Sequence, residues 1–156
     1  SRHELNDSLI GTGVPFMGHC DEHLDWYTQT LAAITSRSMG VRRAGAASLD
    51  LAYVAAGRLD GFWEMGLNQW DIAAGALLVR EAGGLITDLS GGEGWFGSGN
   101  VVCANSKLMR QLLPLVKWSA VREFLAKASL SQTLRSHQRF ARASNLPDRR
   151  PRAQAP

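Results

Sequence analysis

The feature that most restricts the fold of this chain is a pair of small-residue segments, each closed by glycine. Residues 46–56 are rich in Ala and Leu and run into Gly57; residues 71–82 are apolar nearly all round and run into Gly83 and Gly84. Glycine takes the left-handed conformation that closes a helix at little cost, so both segments predict helices with defined ends. Leu49, Ala52, Tyr53 and Ala56 predict one packed stripe on the first helix. The second, with almost no polar side, is expected to be buried on most sides.

Short β-type runs surround these helices. Residues 8–13 read as a strand entering a glycine turn, and Pro15 keeps Val14 extended. Residues 40–43, 60–64, 85–87 and 101–104 supply further strands, with loops at 65–70 and 90–95. Another helix is expected from Asp21 or Glu22 to about Ser38, with Leu24, Tyr27, Leu31 and Ile34 inward. A last one begins at a Ser106 cap and turns Leu108, Leu112, Leu113 and Val116 inward. Strands alternating with helices of this length predict an α/β fold, a layered mixed sheet with packed helices.

Charge divides the chain. Residues 1–116 hold 8 Lys or Arg against 12 Asp or Glu, and residues 117–156 hold 9 against 2. The net charge of +3 therefore belongs to the tail. A folded domain is expected over 1–116 and a basic extension over 117–156, helical near 120–134 and disordered from 145. No run of about 18 apolar residues and no leader pattern appear, so the expected location is cytoplasmic, with no membrane contact. Cys20 and Cys103 form no paired motif and are expected to be free thiols.

Familiar site signatures fail. Gly11-Thr12-Gly13 would need a third glycine where Phe16 stands, and no Gly-Lys-Ser/Thr occurs. His19-Cys20-Asp21-Glu22-His23 departs from the HExxH spacing, so a solvated loop is expected there rather than zinc. Asp71 reads first as an N-cap or first-turn residue that satisfies free backbone N–H groups. A carboxylate fixed there is also ionised and aimed outward, as a hard-cation ligand must be. Glu64, at a strand end, reads first as a salt-bridge partner.

A resemblance changes the weight of these two acids. Trp70-Asp71-Ile72-Ala73-Ala74-Gly75 followed by Glu81-Ala82-Gly83-Gly84 is similar to the C-terminal signature of inositol monophosphatases. The stretches from Val41 to Leu51 and from Gly57 to Glu64 resemble their counterparts in bacterial members, in the same order and spacing, as does Thr12-Gly13-Val14-Pro15-Phe16. The resemblance implies the C-terminal half of a phosphatase acting on inositol monophosphate or a similar small polyol phosphate ester, with Mg²⁺ as cofactor. It implies Asp71 as a metal ligand within reach of a substrate hydroxyl, and Glu64 as a ligand of the polyol hydroxyls. Gly45, Ala46 and Ala47 would bring backbone to the substrate, and the full-length enzyme would be a homo-oligomer, a dimer.

The family's upstream Glu pair and Asp-Pro-x-Asp-Gly-Thr/Ser motif have no counterpart here; Asp88-Leu89-Ser90-Gly91-Gly92 is only the turn after a strand. The chain alone is therefore expected to be a poor phosphatase or none, with at most weak divalent-cation binding at Asp71. Glu64 and Asp71 are expected at one edge of an open cleft. A second reading is a non-catalytic binding or regulatory module that contacts nucleic acid or a partner chain through the basic tail. Nucleic acid is the less expected partner, because the tail beyond Trp118 holds few aromatics, Phe124 and Phe140. A third is a structural subunit whose uncovered apolar side drives self-association.

Overall fold

In the computed structural model the described residues are 2–15 and 20–117, with the side chains of 20–22 left aside. They belong to a compact unit, Ser1–Val121. The helix and disordered stretch expected beyond 117, and position 19 of the His-Cys cluster, lie outside the described residues.

Strands β1 (Leu9–Thr12), β2 (Gly40–Arg42), β3 (Gly61–Glu64), β4 (Leu85–Thr87) and β5 (Val101–Ala104) form one sheet in the order β2-β1-β3-β5-β4. The pairs β1–β2 and β1–β3 are parallel, and β3–β5 and β4–β5 antiparallel. This is the mixed sheet expected from the sequence. Its helices are α1 (Cys20–Thr35), α2 (Ala47–Ala55), α3 (Gln69–Glu81), α4 (Trp95–Ser98) and α5 (Ser106–Val116).

Alternation along the strands divides the core into two layers. Ile10, Trp63, Val102 and Ala104 pack with Trp26, Tyr27 and Ile34 of α1 and Leu108 and Leu112 of α5. Phe62, Val101, Cys103 and Ile86 pack on the other side with Leu51 of α2 and Ile72, Ala76 and Val79 of α3. Glu64 shares the face of Phe62, the face that carries α2 and α3.

Both glycine ends behave as expected. Gly57 (φ +70°) and Gly83 (φ +79°) are left-handed. The bonds Arg58 N–H to Tyr53 O (2.8 Å) and Gly84 N–H to Val79 O (2.8 Å) close each helix in the Schellman pattern.

Several expectations fail in phase or extent. The inner face of α2 is Ala47, Asp50 and Leu51, while Leu49 is 53% exposed. Asp50 lies on that inner face, so counting it as polar rotates the expected stripe away from the core. On α1 the buried residues are Trp26, Tyr27, Thr30 and Ile34, and Leu24 points outward. Helix α3 buries one face only: Trp70 is 78% exposed and Leu77 60%, because among the described residues only one layer packs against it. The cap of α5 is Asn105, whose side chain accepts from the N–H groups of Lys107 and Leu108, rather than Ser106. Four-residue α4 begins at the last residue of the expected 90–95 loop and is too short a pattern to read.

The α2–α3 contact depends on a missing side chain. A Cβ on Gly75 would lie 2.5 Å from the Cβ of Leu51, so the two helix backbones meet at a spacing that alanine cannot share. Gly75→Ala is expected to destabilise the chain by about 1–3 kcal/mol despite better helix propensity. Gly97→Ala, with nothing within 4 Å of the new Cβ, is expected to be neutral or mildly stabilising. Urea unfolding of both variants checks this, and equal midpoints would contradict the packing account.

Candidate active site

The three parallel strands end on the same side of the sheet, and each delivers a candidate residue there. Gly13 follows β1, Gly45, Ala46 and Ala47 follow β2, and Glu64 closes β3. This is the edge at which α/β folds gather ligands. Asp71 then enters from the first turn of α3, seven residues after Glu64.

Asp71 is a first-turn residue, two positions inside the helix rather than at its start. Asn68 is the N-cap, and the Asp71 carboxylate accepts from the Asn68 backbone N–H at 3.1 Å in a reciprocal capping box. The side chain is half-buried and makes no ion pair with an arginine among the described residues. The connection from Glu64 is clamped: Leu67 N–H donates to Gly99 O (2.9 Å), and Gly66 N–H to the Asn100 side chain (3.1 Å). Gly99 (φ +69°) is required at that crossing, since a Cβ there would sit 2.0 Å from Leu67 O.

Glu64 is 7% exposed, and no ion pair holds it among the described residues, contrary to the salt bridge expected of a strand-end acid. Its carboxyl lies directly over Gly13, where an added Cβ would fall 1.7 Å from Oε1. Burial is the main reason its pKa rises from 4.5 to about 7. The Asp50 charge pushes the same way, Arg43 opposes it, and Asp71 adds a smaller push. Asp71 and Glu64 are thus within electrostatic range of each other. Beside them the Tyr27 hydroxyl is held protonated by burial, despite a hydrogen bond with Thr12.

The glycine-alanine loop is mixed in exposure: Gly45 is exposed at φ +91°, Ala46 half-buried and Ala47 buried as the first residue of α2. Sequence reasoning missed Asp50 and the tight seat on Gly13. A lone Asp in an Ala-rich helix carries no signal for burial, and a glycine after a strand reads as a turn. The Asp88 turn is self-contained: its carboxylate accepts from the Ser90 hydroxyl and from the N–H groups of Ser90, Gly92 and Gly94, which hold its pKa down. Cys103 is a buried free thiol whose pKa burial raises. No helix among the described residues is long and apolar enough to cross a membrane.

The Glu64 shift gives a pH signature. With the folded pKa above the unfolded one, the folded state binds the extra proton, so this contribution is full below about 4.5 and is lost as pH rises through about 7. The melting temperature of the chain should fall relative to Glu64→Gln across that window. Parallel curves for the two proteins would contradict a buried, proton-holding Glu64.

Known proteins resemble this chain in sequence and fold. The profile of the inositol monophosphatase family matches residues 1–120. An inositol-1-monophosphatase of Mesorhizobium japonicum is 50% identical over 116 residues, which make up 74% of this chain and 43% of that protein. A protein of Pseudomonas aeruginosa named Nus factor SuhB is 49% identical over 116 residues, with the same coverages of 74% and 43%. The crystal structure of the extragenic suppressor protein suhB from Bartonella henselae superposes with a TM-score of 0.71 at 43% identity, over 76% of this chain and 44% of that one. The chain thus spans less than half the length of the relatives it matches. Both by sequence and by fold, it belongs to the inositol monophosphatase family.

Proposed function

We propose that the chain carries part of the active site of a Mg²⁺-dependent phosphoric monoester hydrolase for inositol monophosphate or a similar small polyol phosphate ester. The observation that carries this reading is the placement of Glu64 at the carboxyl end of a parallel strand and of Asp71 in the helix turn that follows it, on the side where the glycine-alanine loop also lies, in a chain of this family. Asp71 supplies a metal ligand and reaches a substrate hydroxyl. Glu64 meets the polyol hydroxyls, and Gly45, Ala46 and Ala47 leave the substrate room at the backbone. The resemblance supports a cytoplasmic dimer as the complete enzyme.

The residues present do not by themselves fit the metal. Mg²⁺ requires a near-octahedral shell of oxygens, whereas no three His, Cys, Asp or Glu side chains converge on a common point among the described residues. One oxygen of Asp71 is already engaged by the helix cap. We therefore assign no chemical step to this chain alone and read it as inactive in isolation. The exposed apolar face of α3, with Trp70, Leu77 and Leu78, is where we place contact with the remainder of a complete enzyme.

A second reading is favoured by the name Nus factor SuhB of the Pseudomonas aeruginosa relative. In it the chain is a non-catalytic binding or regulatory module, contacting nucleic acid or a partner chain through the basic extension. Salt-dependent binding to a generic oligonucleotide would favour this reading over the first.

The catalytic test is direct. With Mg²⁺, the purified chain is expected to hydrolyse inositol 1-phosphate no faster than its Asp71→Asn variant. Mg²⁺-dependent turnover abolished by that substitution would contradict the assignment of an incomplete metal site.

A further inference from the structure

Asp50 belongs to none of the roles above, yet it occupies an unusual place. It is 1% exposed, on the inner face of α2, and its Oδ1 has no hydrogen-bond partner among the described residues. A buried carboxylate without full compensation costs stability, so its presence calls for a reason other than packing. That Oδ1 lies 3.8 Å from where a Cβ of Gly11 would stand. Glu64 sits over Gly13, the next residue on the same face of β1. Two side-chain-free positions, about 7 Å apart along one strand, thus seat two buried acids. Crowding at Gly11 comes also from Leu59 and Phe62, which close the apolar side around the pair.

We propose that Asp50 is a positioning residue for Glu64, fixing the charge that the Glu64 carboxyl can carry. Asp50 keeps the negative charge and Glu64 keeps the proton, for local reasons. The Ala46 backbone N–H hydrogen-bonds the Asp50 carboxylate and favours its charged form against the burial that raises its pKa. The N-terminal end of α2 acts in the same sense. Nothing equivalent serves Glu64 among the described residues. The groups facing Glu64 are Asp50 from α2, Arg43 from the loop after β2, Asp71 from α3 and Tyr27 from α1; Cys103 of β5 also feels the Asp50 charge. Arg43 is exposed and opposes the effect only in part.

Through the Ala46 bond, Asp50 also ties the glycine-alanine loop to the same device. A protonated Glu64 offers a hydrogen-bond donor as well as an acceptor to a polyol hydroxyl, whereas the ionised form offers acceptors alone. That use rests on the proposed polyol-facing role of Glu64. The pairing of the two acids does not, and its test needs neither substrate nor metal, so failed turnover would leave it standing.

The experiment is a carboxyl-carbon NMR titration of Glu64 in the 156-residue chain and in Asp50→Asn, which keeps the size and the acceptor oxygen for Ala46 while removing the charge. The Glu64 midpoint is expected near 7 in the chain and lower by roughly one pH unit in the variant, still raised by burial. An unchanged midpoint would overturn the proposal and leave Asp50 a helix-start residue only. Should Asp50→Asn fail to fold, the Asp50 carboxyl carbon of the chain itself, followed in the same titration, gives the second test: Asp50 must lose its proton below the Glu64 midpoint, and an Asp50 that titrates above Glu64 overturns the proposal equally.

Discussion

Close approach across glycine sets the geometry of this half-site. Gly11 and Gly13 leave one face of β1 bare at two successive positions, and the space is filled by Leu59, Phe62 and Asp50 at the first and by the Glu64 carboxyl at the second. Gly75 repeats the device one layer out, where Leu51 of α2 occupies the gap in α3. Because interiors pack near crystal density, these gaps fix how near α2 comes to the sheet and α3 to α2. The positions of Ala46, Ala47 and Asp71 follow from those two spacings. Gly99 completes the arrangement by letting the link between α4 and β5 cross Leu67 and hold the Glu64-to-Asp71 connection in place.

Electrostatics follow from the same packing. A carboxyl pressed against a glycine backbone loses water on one side, and a second acid on the same face adds repulsion, so Glu64 holds its proton into the neutral range. Asp71 differs because its carboxylate works as part of a helix start, with a backbone N–H as partner. The two candidate acids are thereby placed in opposite environments, Glu64 buried and Asp71 half-buried at a helix start. Such separation of neighbouring titrating groups is frequent at functional sites.

Much of the architecture is legible in the sequence. Glycine ends mark α2 and α3 because the left-handed closure is chemically specific, and the β-type runs place all five strands to within a residue or two. Helix phase is less legible. On α2 a buried Asp50 breaks the rule that charge faces water, and the stripe shifts with it. On α3 an all-apolar surface indicates no preferred side, and only the packed structure shows that Ile72, Ala76 and Val79 face inward while Trp70, Leu77 and Leu78 do not. Of the candidate site, Asp71 and Glu64 are singled out in the sequence by the family resemblance. Gly13 and Asp50 escaped because their roles depend on what stands opposite them in three dimensions.

The central claim is that this chain brings one end of a metal site together without completing it. Mn²⁺, which takes the oxygen ligands of Mg²⁺ and broadens nearby resonances, locates such a site directly in an amide spectrum of the 156-residue chain. The account predicts weak broadening, saturating only at millimolar metal, centred on the backbone around Glu64 and Asp71 and lost in Asp71→Asn. Tight stoichiometric binding, or broadening centred on the Asp88 turn instead, would contradict it.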